Sequence, residues 1–140
     1  MAKRSPTAFL DAFAQLYRRM AALSCERYGP LGLGVTQAKL LRGIGAEAQV
    51  SQVDLARATG TDPAATGRTL RTLIQRGWVK RKRSPDDSRA FSLELTPEGR
   101  RLLTRVVRAR EAIGVRIETS LDARDVVAFK RIVAKILEAS

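Results

Sequence analysis

Positively charged side chains are concentrated in one stretch of this sequence. Residues 68–89 contain eight Lys or Arg and two acidic residues, and the whole chain has 26 basic against 14 acidic residues, a net charge of +12. Guanidinium and ammonium groups bind phosphate oxygens, and an Arg also reads the edge of a guanine through two parallel hydrogen bonds. This clustering indicates a polyanionic partner, either a nucleic acid or an anionic membrane surface.

Side chains suited to catalysis or metal binding are scarce. The chain has no histidine, which removes the commonest general base and metal ligand. The acidic pair Asp86-Asp87 is better explained as part of a turn, and there is no glycine-rich nucleotide loop. We therefore expect neither an enzyme nor a protein that binds a cofactor or a metal.

Length and hydropathy indicate a single globular domain. With 140 residues, 44% of them hydrophobic, the chain is long enough for one core and too short for two. It contains no run of 18 apolar residues and no stretch typical of a signal peptide. Cys25 is the single cysteine, so an internal disulfide is excluded, as is typical of a reducing compartment. We expect a cytoplasmic protein without membrane association.

A helix-turn-helix is predicted just before and within the basic stretch. Ser51 with Asp54 resembles a capping box that starts one helix, and Gly60 ends it because glycine tolerates the left-handed conformation of a tight turn. Ala56 and Gly60 stand at the fifth and ninth positions of the motif counted from Gln52. Close packing of the two helices demands a small residue at the first of these positions and a glycine at the second.

The second helix and a β-hairpin follow directly. Pro63 is a favourable first helical residue after Thr61 or Asp62 as the cap, and Gly77 is the expected C-terminal stop. Residues 78–83 are too short and too β-prone for a helix, and residues 90–95 alternate with a period of two. Residues 84–88 have turn composition. A recognition helix followed by a basic hairpin is the order found in winged helix-turn-helix DNA-binding proteins.

Two helical regions flank this central part. Apolar residues recur at helical spacing over residues 7–28 and again over residues 97–139. Thr36, Thr96 and Asp122 are the predicted caps of a short helix and of the last two helices. A small lobe cannot cover so much apolar surface, so we expect residues 7–28 and 97–139 to form a dimerisation region in a homodimer. Residues 36–96 then form the winged helix-turn-helix lobe of a mainly α fold with a small β-hairpin wing.

Three motifs resemble the multiple antibiotic resistance regulator (MarR) family. They are Leu73-Ile-Gln-Arg-Gly-Trp-Val-Lys-Arg81 before the wing, Asp87-Ser-Arg-Ala90 at its tip, and Leu93-Glu-Leu-Thr-Pro-Glu-Gly99 at the start of the next helix. All three stand in register, and the flanking helices match over nearly the full length. The resemblance implies a homodimer that binds a pseudo-palindromic operator in double-stranded DNA, as a regulator and more often a repressor, at the nucleoid.

The resemblance also implies positions for the DNA contacts. The recognition helix, residues 62–76, would enter the major groove, and the wing would reach the minor groove through Arg89, with Asp87 holding the wing in shape. Arg68 is the best candidate for a base edge, since Arg fits guanine bidentately. Thr66 and Gly67 depart from the family pattern. The candidate DNA contacts are Ser51, Asp62, Ala64, Ala65, Arg68, Thr69, Arg71, Thr72, Gln75, Lys80, Arg81, Lys82, Arg83, Asp87, Ser88 and Arg89.

Several of these residues have alternative interpretations. Ala65 and Thr69 suit thymine methyl groups, whereas Thr72 or Arg71 suits a phosphate. The run Lys80-Arg-Lys-Arg83 either contacts phosphates or only prevents association of an exposed edge strand.

An effector site is a further expectation from the resemblance. Family members often bind small aromatic or anionic molecules in a cleft between the dimerisation region and the DNA-binding lobe, and Phe13, Tyr17 and Tyr28 are candidate lining residues. The same aromatic side chains are also explained as core residues. Cys25 is either a redox sensor, as in some relatives, or a small buried apolar residue. We favour the buried interpretation.

Two other functions remain open from the sequence. A non-specific or architectural DNA-binding protein would use the same positive charge without preferring one sequence. A winged-helix adaptor for protein–protein contacts would use the same fold without needing Arg68, Arg71 and Arg89.

Overall fold

Capping side chains and prolines define where the helices begin. In the computed structural model, which describes residues 4–83 and 91–140, the hydroxyl of Ser51 accepts a hydrogen bond from the N–H of Asp54 at 3.1 Å. The carboxylate of Asp62 accepts one from the N–H of Ala65 at 3.0 Å. The described elements are α1 (Ala8–Tyr28), α2 (Val35–Gly45), α3 (Gln52–Thr59), α4 (Pro63–Gln75), β1 (Val79–Arg83), β2 (Phe91–Leu95), α5 (Pro97–Glu118) and α6 (Ala123–Ala139).

Two of the predicted caps need correction. Thr36 does not cap α2, which begins one residue earlier, because the Gln37 side chain accepts a hydrogen bond from the N–H of Gly34 at 3.1 Å. At α3 only one of the two hydrogen bonds of the predicted capping box forms. Ser51 caps as predicted, but the carboxylate of Asp54 lies 3.8 Å from the guanidinium of Arg57. None of the described helices is long and apolar enough to cross a membrane.

The core lies where α2, α3, α4, α5 and the hairpin meet. Its central side chains are fully buried, and each Leu, Ile or Val among them contributes roughly 1.5–3 kcal/mol by leaving water. The helical spacing of Leu70, Leu73 and Ile74 predicts that all three point inward. Leu70 and Leu73 are fully buried in this core, and Ile74 is half-buried at its edge. The side chains with at most 2% exposure that form it are Ala38, Leu40, Leu41, Ile44, Leu55, Leu70, Leu73, Val79, Leu93 and Val106.

β1 and β2 form an antiparallel hairpin, and β2 is the strand that joins it to the helical part. Val79 pairs with Leu95, and Arg83 pairs with Phe91. Leu93 also donates its N–H to the carbonyl of Val50 at 2.7 Å, in an isolated bridge just before α3. The base of the wing therefore contacts the start of the helix-turn-helix as well as the end of α4.

The end of α4 turns sharply into the hairpin. Gly77 adopts a φ of 76° and donates its N–H to Ile74 at 3.0 Å, while Trp78 donates to Leu73 at 3.0 Å. This pair of bonds is a Schellman motif, which favours glycine because the left-handed conformation strains residues that carry a Cβ. The carbonyl of Trp78 then accepts the N–H of Thr96 at 3.0 Å. One turn thus joins α4, the hairpin and the start of α5.

Gly99 is expected to be intolerant of any side chain. A Cβ added to Gly99 would overlap the backbone carbonyl of Trp78, which has no freedom to move away. We expect Gly99→Ala to lower the free energy of unfolding by about 3 kcal/mol, measured by urea denaturation.

Gly114 in the same helix is the matched control. A Cβ there meets nothing within 4 Å, so Gly114→Ala should stabilise the protein by about 0.5–1 kcal/mol through helix propensity. Equal stability of the two variants would contradict the assignment of Gly99 as a packing constraint.

Candidate nucleic-acid interface

The outer face of α4 presents the side chains predicted to meet a DNA groove. Ala64, Arg68, Arg71 and Gln75 are exposed, and so is the cap Asp62. Half-buried positions on the same helix are Ala65, Thr69 and Thr72. An exposed helix face with two arginines and several small side chains can approach a major groove closely. Their contacts with DNA stay a prediction.

The helix α3 supports α4 through close approach of small residues. Ala56 is 8% exposed, and Gly60 ends α3 at a φ of 63° with its N–H donated to Arg57 at 3.3 Å. A Cβ added at Gly67 would lie 3.3 Å from the side-chain nitrogen of Gln52. Gly60 is thus favoured by its left-handed φ rather than by crowding, since a Cβ there would meet nothing within 4 Å, while the small side chain of Ala56 is buried.

Thr66 has a structural explanation that the sequence pattern did not provide. It is fully buried, and its hydroxyl donates to the carbonyl of Asp62 at 2.9 Å. Because Thr66 faces the core, this departure from the family pattern does not alter the outer face of α4. Gly67, next to it, is half-buried beside α3.

The basic run of β1 divides between two faces of the hairpin. Lys80 forms an ion pair with Glu94 at 3.0 Å, and the guanidinium of Arg83 lies 5.8 Å from the centre of the Phe91 ring. The hydrogen bond from Lys80 lowers the pKa of the Glu94 carboxyl below its usual value. Arg81 and Lys82 are exposed, and no ion pair forms at either within the described ranges. The charges of β1 are thus not equally available to a phosphate.

The wing tip falls outside the described residues. Asp87, Ser88 and Arg89 belong to residues 84–90, and so does the pair Asp86-Asp87. The minor-groove role of Arg89 therefore stays an expectation from the family resemblance.

Arg76, at the end of α4, makes a contact that sequence reasoning did not identify. Its guanidinium donates to the carbonyl of Gly32 at 2.9 Å and lies 5.2 Å from the centre of the Trp78 ring. Gly32 follows the short turn Gly29–Leu31 after α1. Arg76 therefore connects the recognition helix to the end of the predicted dimerisation helix.

The predicted effector residues do not come together within one protomer. Phe13 and Tyr17 are exposed on α1, with ring centres 6.3 Å apart. Tyr28 is 4% exposed and packs in the core, about 22 Å from Phe13 along the same helix at 1.5 Å per residue. The interpretation of Cys25 as a buried apolar residue is wrong, since Cys25 is exposed. Its position on the outer side of α1 leaves the thiol accessible in the single protomer.

Comparison with known proteins decides the family. A sequence profile of the MarR family matches residues 31–90. A transcriptional repressor of helix-turn-helix type from Mycobacterium bovis is 32% identical over 124 residues, which cover 86% of this chain and 89% of the repressor. The chain belongs to the MarR family of DNA-binding transcriptional regulators.

Solved structures of similar proteins confirm the fold. BpsR of Bordetella bronchiseptica, whose DNA binding is regulated by 6-hydroxynicotinic acid, superposes with a TM-score of 0.88 at 23% identity and covers 99% of this chain and 100% of BpsR. A MarR variant from E. coli complexed with operator DNA gives a TM-score of 0.83 at 23% identity, over 96% of this chain and 99% of the variant. The winged helix-turn-helix prediction is confirmed.

Arg76 is expected to act by positioning α4 rather than by contacting a phosphate. Arg76→Lys keeps the charge but cannot keep both the bond to Gly32 and the stacking on Trp78. We expect it to weaken binding about fivefold, because an exposed hydrogen bond from a charged donor is worth about 1 kcal/mol. The probe is a duplex selected by the wild-type protein from a random-sequence library, and the salt dependence of binding should stay unchanged.

Arg57→Lys, on an exposed arginine of α3, is the control and should bind as the wild type does. A phosphate-contacting Arg76 would give the opposite pattern. Arg76→Lys would then bind normally, and Arg76→Ala would reduce the slope of log affinity against log salt by about one.

Proposed function

We propose that this MarR-family protein is a homodimeric, sequence-specific transcriptional repressor, acting in the cytoplasm at the nucleoid. Each α4 enters a major groove, and each wing lies in the adjacent minor groove. The observation that carries the proposal is the exposed outer face of α4, flanked on one side by the basic strand β1. Two-fold symmetry then sets the half-sites about one helical turn apart, roughly 34 Å.

Dimerisation is supported by an apolar face that one protomer leaves uncovered. We call this the helical face: Phe9, Leu10, Phe13, Phe129, Ile132, Val133, Ile136 and Leu137, which line an apolar cavity of about 500 Å³ between α1 and α6. α6 has no buried residue at all. All eight side chains are exposed in the single protomer, an arrangement that is typical of a protein–protein contact, and a second copy supplies an equally apolar partner.

Sequence preference is the measurement that separates a repressor from an architectural DNA-binding protein. The wild-type protein should prefer a selected duplex over random duplex by about a thousandfold or more. If a dimer neutralises roughly eight phosphates, log affinity should fall with log salt at a slope of about −7. Recovery of no enriched sequence from a random library would refute the proposal. A reporter gene placed behind the selected sequence tests whether the protein represses or activates transcription. We expect the protein to lower expression of the reporter.

Alanine variants of Arg68 and Arg71 should distinguish a contact to a base from a contact to a phosphate. Arg68→Ala is expected to reduce the preference for the selected duplex over random duplex about ten- to hundredfold, since a bidentate base contact is worth about 1–3 kcal/mol. Arg71→Ala should weaken both complexes equally and reduce the salt slope. Competition binding with both duplexes measures the affinity and the preference of each variant.

A triple variant that lacks Arg68, Arg71 and Arg89 tests the alternative of a winged-helix adaptor. An adaptor would keep its function in this variant, whereas a repressor would lose operator binding.

The helical face is expected to hold the dimer together. Phe129→Asp combined with Ile132→Asp should give a monomer at micromolar concentration, because it places two charges against an apolar partner. Loss of the second half-site should then lower operator affinity by about a hundredfold or more. Analytical ultracentrifugation and operator titration measure the two effects.

Val127→Asp is the matched control for this variant. Val127 lies on α6 but does not line the cavity of the helical face, so the variant should remain dimeric. A double variant that stays dimeric would contradict the assignment of this face.

Regulation by an effector completes the proposal. We propose that a small aromatic or anionic molecule, or an oxidant acting on Cys25, releases the protein from its operator. BpsR, which shares the fold, is regulated by an aromatic acid, and this supports the first route. The accessibility of Cys25 supports the second.

A further inference from the structure

One side of α5 carries a row of arginines. We call it the arginine stripe: Arg101, Arg105, Arg108 and Arg116. These residues stand at positions i, i+4, i+7 and i+15, so they share one side of the helix and extend over about 22 Å at 1.5 Å per residue. All four are exposed, and Ala112 fills the remaining place in the row. The buried side of the same helix is formed by Leu102, Val106 and Ile113.

Most of the stripe has no acidic neighbour to balance its charge. Arg101 forms an ion pair with Glu98 at 3.3 Å. Within residues 4–83 and 91–140, neither an ion pair nor a side-chain hydrogen bond forms at Arg105, Arg108 or Arg116. Like charges three or four residues apart destabilise a helix, so the row opposes the stability of α5 while it faces water alone. A polyanion bound along the stripe removes this repulsion.

The stripe begins beside the base of the wing. α5 starts at Pro97, directly after β2, and Arg101 follows about 6 Å along the helix axis. The hydroxyl of Thr96 donates to the carbonyl of Gly77 after α4, so the recognition helix, the wing and α5 meet at one junction. The stripe therefore starts where the two elements meet that the proposed function places in DNA grooves.

The chemistry of the stripe suits a DNA backbone. A guanidinium donates two parallel hydrogen bonds to a phosphate, which an ammonium group cannot do. Each strand of a duplex carries a phosphate about every 3.4 Å along the axis, so a row of about 22 Å spans several phosphates. A helix that binds a membrane surface combines its basic residues with an exposed apolar side. The row of arginines on α5 contains no large apolar residue, and this favours DNA over a membrane.

We propose that the arginine stripe of each protomer binds the phosphate backbone of the duplex that flanks the operator. The contact extends the DNA-binding surface beyond α4 and the hairpin, and it reads no bases because arginines on an exposed helix side meet only phosphates there. The inference rests on the proposed function for the position of the operator. It requires the flanking duplex to bend toward α5, a deformation that additional phosphate contacts offset.

The dependence of affinity on duplex length is the first test. The selected sequence is placed at the centre of a duplex of about 20 base pairs, which covers two half-sites one turn apart, and of one of about 60 base pairs. The wild-type protein should bind the long duplex about tenfold more tightly, because the stripes contact phosphates that the short duplex lacks. Equal affinity for the two duplexes would overturn the proposal.

A double variant assigns this effect to the stripe. Arg105→Gln combined with Arg108→Gln removes two exposed charges from each protomer, and therefore four from a dimer. The variant should bind the short duplex as the wild type does and should lose the advantage on the long one. On the long duplex its slope of log affinity against log salt should be shallower by about 3 to 4, since four fewer phosphates are neutralised. A variant that keeps the advantage would overturn the proposal.

Arg18→Gln combined with Arg19→Gln is the matched control. It removes the same number of charges from exposed arginines of α1, so it lowers the net charge equally without touching the stripe. We expect it to keep the preference for the long duplex. An equal loss in both double variants would show that net charge alone acts, and would overturn the assignment to the stripe.

Two other occupants of the stripe would give different results. If the stripe binds a separate duplex, an immobilised operator complex of the wild-type protein would capture a second, labelled duplex, and the length of the first would have no effect. If the stripe binds acidic residues of the second protomer, the Arg105→Gln and Arg108→Gln double variant would become monomeric at micromolar concentration in ultracentrifugation. Either result overturns the proposal.

Failure of this proposal is distinguishable from failure of the proposed function. If the wild-type protein enriched no sequence from a random library, the repressor proposal would fail. The salt slopes of the wild type and of the stripe variant on a random duplex of about 60 base pairs would still decide whether the stripe binds DNA, and identical slopes would overturn it. An enriched sequence bound without any effect of duplex length would support the repressor and overturn the stripe.

Discussion

The turn at Gly77 and Trp78 is the constraint on which the DNA-binding lobe depends. The left-handed Gly77 closes α4 with both bonds of a Schellman motif and directs Trp78 into the hairpin. The Trp78 carbonyl then pairs with Thr96, whose hydroxyl donates to Gly77 at 2.5 Å and accepts the N–H of Gly99 at 3.0 Å. Backbone bonds are short and directional, so this junction fixes the recognition helix, the wing and α5 relative to one another.

A polar contact and a packed helix join the same lobe to the predicted dimerisation region. Arg76 reaches Gly32 after α1, and α2 packs between the helix-turn-helix and α5. Arg42 lies on that connecting helix with its buried Nε unsatisfied. The elements that connect the DNA-binding lobe to the predicted dimerisation region thus contain one satisfied polar contact, at Arg76, and one unsatisfied buried donor, at Arg42.

Local signals predicted the elements well, because each signal acts within a few residues. Asp62 followed by Pro63 and Thr96 followed by Pro97 started helices as expected. Thr36 failed as a cap because α2 begins one residue earlier, at Val35, with Gly34 as the N-cap residue. Cys25 was placed wrongly in the interior, since residue type alone does not say which side of α1 the lobe covers. The Arg76 contact spans 44 residues of sequence, and no local pattern predicts it.

The sequence by itself determined the order of helices and strands, the inward positions Leu70 and Leu73, and the family, because periodicity, caps and motifs are encoded in short stretches. Only the tertiary structure decided which charges are engaged. Lys80 is paired with Glu94, Arg83 stacks on Phe91, Arg76 is bound to Gly32, and Arg42 is left facing Arg110. The physical reason is that the state of a charged side chain depends on neighbours brought in from distant parts of the chain, which composition and spacing do not contain.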